Sequence, residues 1–172
     1  MTEFYGSHGK SSPGDDRYRP RRRKPGYGAV AVVFQDGEFL VIRRSAFVRA
    51  PNLLCFTGGT IESGETPQQA IVREMREELN VESTARELIW QSTTQWGTRL
   101  EWLVVDLAPG ATPVPNPREV AECMWIHPSR LLVHPDLLGS VPDFFVAWAN
   151  GEFTLPPAAG QPAEDWKHFR EH

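Results

Sequence analysis

The chain has 172 residues, 40% of them hydrophobic, with a formal net charge of −4 at pH 7, which suits one domain with a respectable core. It shows no apolar run of membrane-spanning length and no charged-then-apolar leader, so the expectation is a soluble cytoplasmic protein with no membrane partner. Residues 1–27 hold seven Lys or Arg against three Asp or Glu, and the rest holds eleven against nineteen. An acidic body of that kind argues against a broad nucleic-acid surface and suits a site that recruits cations before it binds phosphate.

Residues 1–26 are rich in Gly, Ser, Pro and Arg and lack an apolar period, which reads as a disordered basic arm. The cluster from Arg17 to Lys24 could touch RNA or another anionic surface, although a solvated tail is the preferred reading. Gly28 to Phe34 is a β-rich run, Asp36-Gly37 is a hairpin signal, and Phe39 to Arg43 is the return strand. Residues 45–52 form a loop carrying Phe47 and Arg49. A short apolar run, Leu53 to Phe56, leads to Gly58-Gly59, where glycine permits an unusual backbone and leaves a carbonyl accessible.

A helix then starts at Pro67, with Thr66 as N-cap, Gln69 completing a capping box, and Asn80 as a left-handed C-terminal cap. Ile71, Val72, Met75 and Leu79 recur at helical spacing as its core-facing stripe. Thr84 to Gln95 and Arg99 to Leu107 read as an antiparallel pair joined near Gly97. Pro109 to Pro117 is a loop, Cys123 to Ile126 a short strand, and Pro128 to Val133 the start of a short helix. Ser140 to Asn150 is a closing helix with Val141, Phe144, Phe145 and Trp148 on its core face. Pro156 to His172 reads as a loosely held tail. Cys55 and Cys123 sit in apolar contexts and read as reduced core residues. Taken alone, this pattern supports an α+β or α/β domain over residues 27–155.

The helix at Pro67 carries Glu74, Glu77 and Glu78 within about 100° of arc. Such like-charge pairs cost roughly 0.2–0.5 kcal/mol each when exposed, and acids in the last turn a further ~0.3–1 kcal/mol. Arg73 and Arg76 relieve part of this. The bland account is a solvated acidic face; the sharper one is a site for a divalent metal, and the flanking residues favour it.

Those flanks read Gly59, five residues, Glu65, seven residues, Arg73-Glu74-Met75, one residue, Glu77-Glu78, one residue, Asn80-Val81. The spacing resembles the signature of the Nudix hydrolase family. The departures are Asn80 for the usual glycine near the helix end, Thr57 for a common proline, and Thr60 for a frequent basic residue. The resemblance implies an α/β/α sandwich with a mixed β-sheet, and hydrolysis of a nucleoside diphosphate linked to some further group. It implies Mg²⁺, with Mn²⁺ as an alternative, held by the Gly59 carbonyl, Glu77 and Glu78, with Glu74 as a further ligand or as the general base. Arg73 and Glu65 would orient the loop and the catalytic carboxylates. The family often takes another carboxylate from outside the signature; Glu119 and Glu122 are the candidates, and Glu122 is closer to the strand.

For the substrate, Arg43, Arg44 and Arg49 are candidates to hold phosphates. Phe47, Trp96, Trp102 and Trp125 are eligible to stack on a base, with core packing preferred for each Trp. The markers of subfamilies specific for ADP-ribose, dinucleoside polyphosphates, NADH or coenzyme A do not stand out. By elimination the chain is most similar to MutT-type nucleoside triphosphate pyrophosphatases. Two alternatives stay open: a non-catalytic regulator binding nucleotide or nucleic acid, and a pyrophosphohydrolase of RNA 5′ ends using the basic arm.

Overall fold

Asp36 and Gly37 both adopt positive φ, 51° and 78°, as a tight two-residue hairpin requires. They turn β2 (Phe34–Gln35) back into β3 (Glu38–Arg44). The structure is a computed structural model that describes residues 26–169. The arm, with its Arg17-to-Lys24 cluster, lies outside the described residues.

The strands form two four-stranded sheets, and one of them is the expected mixed sheet. In the first, β5 (Gly58–Thr60) pairs with β1 (Tyr27–Val32), which runs parallel to β7 (Arg99–Leu107), and β7 pairs with β6 (Ser83–Thr93). Only the β1–β7 pair is parallel, so this sheet is mixed. The second is antiparallel and centred on β3, which pairs with β2, with β4 (Leu54–Cys55) and with β8 (Val120–Ile126). The strand β8 is longer than its apolar stretch, because Val120 already pairs with Arg44.

The helix α1 (Pro67–Leu79) has the expected bounds, with both halves of the Thr66–Gln69 capping box formed and Asn80 at φ 48°. It packs against β1, β5, β6 and β7. Ile71, Met75 and Leu79 are fully buried, but Val72 is only half-buried. The inward face is shared instead with Glu74 and Glu78, which binary patterning would have placed in solvent.

An aromatic layer fills the space beneath α3 (Ser140–Ala149). Phe144 stacks on Trp102 with centroids 4.9 Å apart, and Phe39 meets Phe145 edge-on at 5.3 Å. Phe56, from the strand end that leads to the glycines, packs on Phe144 at 5.1 Å. Tilted and edge-to-face pairs of this kind add to simple area burial. The layer therefore anchors the chain immediately before Gly58. The helix α2 (Pro128–Leu131) is a single turn, ending before the expected Val133.

The C-terminal segment departs from expectation. Up to Phe169 it is not loosely held, because Trp166 is buried against Phe145 and Trp148, at 5.5 and 5.8 Å. Gly37 donates its N–H to the Ala158 carbonyl at 3.0 Å and ties the same segment to the first hairpin. The segment folds into two short 3-10 turns, Pro157–Ala159 and Glu164–His168, and burial of Ala159 and of the large Trp166 ring holds it to the core.

Candidate active site

The first two residues of β5 are bare by necessity. A β-carbon on Gly58 would meet the Ala29 carbonyl of the paired strand, and one on Gly59 would overlap the Glu74 carboxylate. Two glycines thus bring a backbone edge and a helix carboxylate into contact. Glu78, one turn on, accepts a hydrogen bond from the Gly58 N–H at 3.3 Å.

Arg73 organises the rest. Its guanidinium donates to both Glu65 oxygens, at 2.8 and 2.9 Å, and to the Thr60 carbonyl at 2.9 Å. It also donates to Glu74 Oε1 at 2.9 Å and to Glu77 Oε2 at 3.2 Å. A planar fork of five donors is suited to such bidentate and shared contacts. Glu65 in turn accepts from the Glu62 N–H at 3.0 Å, which closes the loop before α1. Hydrogen bonds from Arg73 and from that backbone hold the Glu65 carboxyl down at about 2.

The three helix acids are not equivalent. The Glu77 side chain is 50% exposed, whereas Glu78 is 5% exposed and Glu74 is buried. Burial pushes the Glu78 carboxyl up to about 8, reinforced by the charges of Glu74 and Glu119 and opposed by the Gly58 N–H. Burial raises the Glu74 carboxyl too, against the pull of Arg73. Both acids border a cleft of about 250 Å³ whose wall also includes Arg44, Glu119 and the backbone of Gly58 to Thr60.

A larger cleft of about 1070 Å³ adjoins it and shares Arg44 and residues 58–60. Its wall takes in Arg49, the residues 92–98 at the β6–β7 turn with Trp96, and Ser140 and Asp143 at the start of α3. Trp96 is 65% exposed there, while Trp102 is core and Trp125 packs partly buried against it.

Three of the candidate residues stand apart from the clefts. Glu122 does not line the acidic cleft and binds Arg43 at 2.6 Å; of the two candidates outside the helix, Glu119 is the one on the cleft wall. Arg43 spends its guanidinium on Glu122 and on the Asn52 carbonyl, at 2.9 Å, and lines neither cleft. Phe47, 86% exposed, lines neither cleft as well. Strand alternation puts Arg43 and Arg44 on opposite faces of β3, so only one of them can reach the clefts. That rule was available from the sequence, but without the fold it does not say which.

The donor set is chemically apt for Mg²⁺ or Mn²⁺. It offers carboxylates and a backbone carbonyl, hard oxygens of the kind these cations prefer. Glu78 is a nearly buried carboxyl with two acidic neighbours, an arrangement that a cation would relieve. Among the described residues no three acidic, His or Cys side chains form a ready-made cage. Mg²⁺ does not require one, since it keeps several waters and shares its shell with substrate phosphates.

Comparison with known proteins points to one family. The NUDIX domain family matches residues 23–148. The CTP pyrophosphohydrolase of Escherichia coli (strain K12) is 30% identical over 112 residues, which is 65% of this chain and 83% of that protein. The 8-oxo-dGTP diphosphatase of the same organism is 47% identical over 47 residues, 27% of this chain and 36% of that protein. Among solved structures, DR0079 from Deinococcus radiodurans superposes with a TM-score of 0.53 at 27% identity, covering 89% of this chain and 90% of that one. The described residues hold no helix long and apolar enough to cross a membrane. A family match over most of the sequence, joined to a relative matched along most of its own length, makes the chain a member of the Nudix hydrolase family.

Proposed function

We propose that this Nudix hydrolase, an enzyme of pyrophosphate bonds, is a Mg²⁺-dependent, MutT-like nucleoside triphosphate pyrophosphatase. The observation that carries the reading is the sharing of Arg44 between the acidic cleft and the larger cleft lined by Trp96. That arrangement suits one ligand with its phosphates at the acids and its base at the aromatic ring. The E. coli relatives named for CTP and 8-oxo-dGTP support it.

Glu77, Glu78 and the Gly59 carbonyl would hold Mg²⁺, with Glu119 adding a carboxylate from outside the helix. When bound, the ion supplies neutralisation of phosphate oxygens and a lower pKa for the attacking water. Glu74 takes the proton from that water, in an orientation fixed by Arg73 and by its seat over Gly59. Arg44 binds the phosphate chain, Arg49 supplies a second positive charge, and Trp96 stacks on the base. Attack forms one bond from the water oxygen to phosphorus and breaks one anhydride bond, leaving a nucleoside monophosphate and pyrophosphate.

The test is a Mg²⁺-dependent screen of nucleoside triphosphates, sugar nucleotides, dinucleotides and 5′-triphosphorylated RNA, with products identified. Monophosphate and pyrophosphate from free triphosphates are expected. Turnover confined to dinucleotides or RNA would overturn the substrate assignment while leaving the phosphoanhydride chemistry intact.

A further inference from the structure

A four-residue turn, Asn116 to Glu119, brings Glu119 to the acidic cleft, and it is gripped from both sides. On the helix side, the Asn116 N–H donates to the Glu78 carbonyl at 2.8 Å and its Nδ2 donates to the Glu77 carbonyl at 3.2 Å. Those are carbonyls of the last turn of α1, which the helix itself leaves without partners. Asn116 also closes the turn: its Oδ1 accepts from Arg118 N–H at 3.2 Å, and its carbonyl accepts from Glu119 and Val120, at 3.0 and 2.8 Å.

On the sheet side stands Ser45, a polar residue that is only 2% exposed. Its N–H donates to the Glu119 carbonyl and its hydroxyl to the Arg118 carbonyl, both at 2.8 Å. The same hydroxyl accepts from the Phe47 N–H at 3.2 Å, at the start of the loop that carries Arg49. Ser45 directly follows Arg44 in the chain.

We propose that Asn116 and Ser45 are positioning residues that clamp the Arg118–Glu119 turn between the end of α1 and β3, and so hold the Glu119 carboxylate at the cation cleft. The proposal rests on the reading that this cleft binds a divalent cation. Neither residue lines either cleft. Asn116 ties the turn to the backbone of Glu77 and Glu78 themselves, so the outer carboxylate and the helix carboxylates move as one body. Hydrogen bonds that orient ligands from behind typically set metal affinity by about 10–100-fold.

The test is Mn²⁺ binding to the full-length protein without substrate, followed by calorimetry and by the Mn²⁺ paramagnetic resonance signal. The variants are Ser45→Ala, Ser45→Thr, Asn116→Ala and Glu119→Gln, with each alanine change also combined with Glu119→Gln. Ser45→Ala and Asn116→Ala are expected to weaken Mn²⁺ binding by about 10-fold. Neither should weaken it further once Glu119 is Gln, because the clamp then holds nothing of use. Ser45→Thr keeps the hydroxyl and should restore binding. Melting curves select temperatures at which every variant is folded, and Ser45→Ala stands alone if Asn116→Ala does not fold. Unchanged Mn²⁺ affinity in the folded alanine variants, or full additivity with Glu119→Gln, overturns the clamp while the cation reading survives. Failure of the wild-type protein to bind Mn²⁺ overturns both.

Discussion

The Glu74 carboxylate rests on the Cα of Gly59, with no space between them for a β-carbon. A helix side chain and a strand backbone are thus fixed at van der Waals contact, and Arg73 holds the carboxylate from the other side. Gly59→Ala must displace Glu74, the strand, or both. Such overpacking typically costs about 1–3 kcal/mol of stability. Activity should fall further than stability, by at least about 100-fold in kcat, because a misplacement near 1 Å has that effect on a positioned group. Steady-state kinetics beside a melting curve separates the two. A Gly59→Ala enzyme with normal kcat would show that Glu74 needs no such seat.

Glu78 gives the protein a pH dependence of definite sign. In the fold its carboxyl titrates near 8, while its ordinary value is 4.5. Between those values the folded chain keeps a proton that the unfolded chain has released. The associated stability is complete below about pH 4.5 and is lost as pH rises through 8, with a slope of up to about 1.4 kcal/mol per pH unit. Without divalent cation, the melting temperature should therefore fall from pH 5 to pH 8, and Glu78→Gln should flatten the fall. Added Mg²⁺ should raise the melting temperature more at pH 8 than at pH 6, since its ligands must be deprotonated. A rise in cation-free stability with pH over this window would contradict the buried, acid-flanked position of Glu78.

Local signals were the legible ones. Thr66, Pro67 and Asn80 mark α1 because caps and proline act within one turn, and Asp36-Gly37 marks the hairpin because both residues tolerate positive φ. The spacing of Gly59, Glu65, Arg73 and the three glutamates also lies within one short stretch of chain. What sequence order hid was long-range. Glu119 and Glu122 differ by three positions, and only the pairing of β8 with β3 sends Glu122 to Arg43 and leaves Glu119 facing the cleft. Trp96 and Trp102 are equally aromatic; one ends at a hairpin turn and the other beneath α3.

Alternation along β3 separates two adjacent arginines. Arg44 lines both clefts, whereas Arg43 is committed to Glu122 and Asn52. Arg44→Ala should raise KM for nucleotides by roughly 10–100-fold, the worth of one charge-assisted contact of about 1.5–3 kcal/mol. Arg43→Ala removes a partly exposed ion pair, worth about 0–1 kcal/mol, and should leave KM within about twofold. Initial rates across a range of nucleotide concentrations decide between them. The reverse ranking, with Arg43→Ala raising KM and Arg44→Ala silent, would place the phosphates elsewhere.

Trp166 tests the closing segment. Its ring packs on Phe145 and Trp148, which also face Phe39 in the second sheet, so it covers the core at its α3 edge. Truncating a buried Trp to Ala typically costs about 3–5 kcal/mol through lost transfer energy and the cavity left behind. A chain ending at Leu155 loses the same contact together with the Gly37–Ala158 hydrogen bond, and should be at least as unstable. Trp166 lines neither cleft, so Trp166→Ala should keep a nearly normal kcat at temperatures where it remains folded. Chemical denaturation beside a kinetic assay reads both quantities. A loss below about 1 kcal/mol would mean that the segment only lies on the surface, because removing a ring packed into the core forfeits its transfer energy and leaves a cavity.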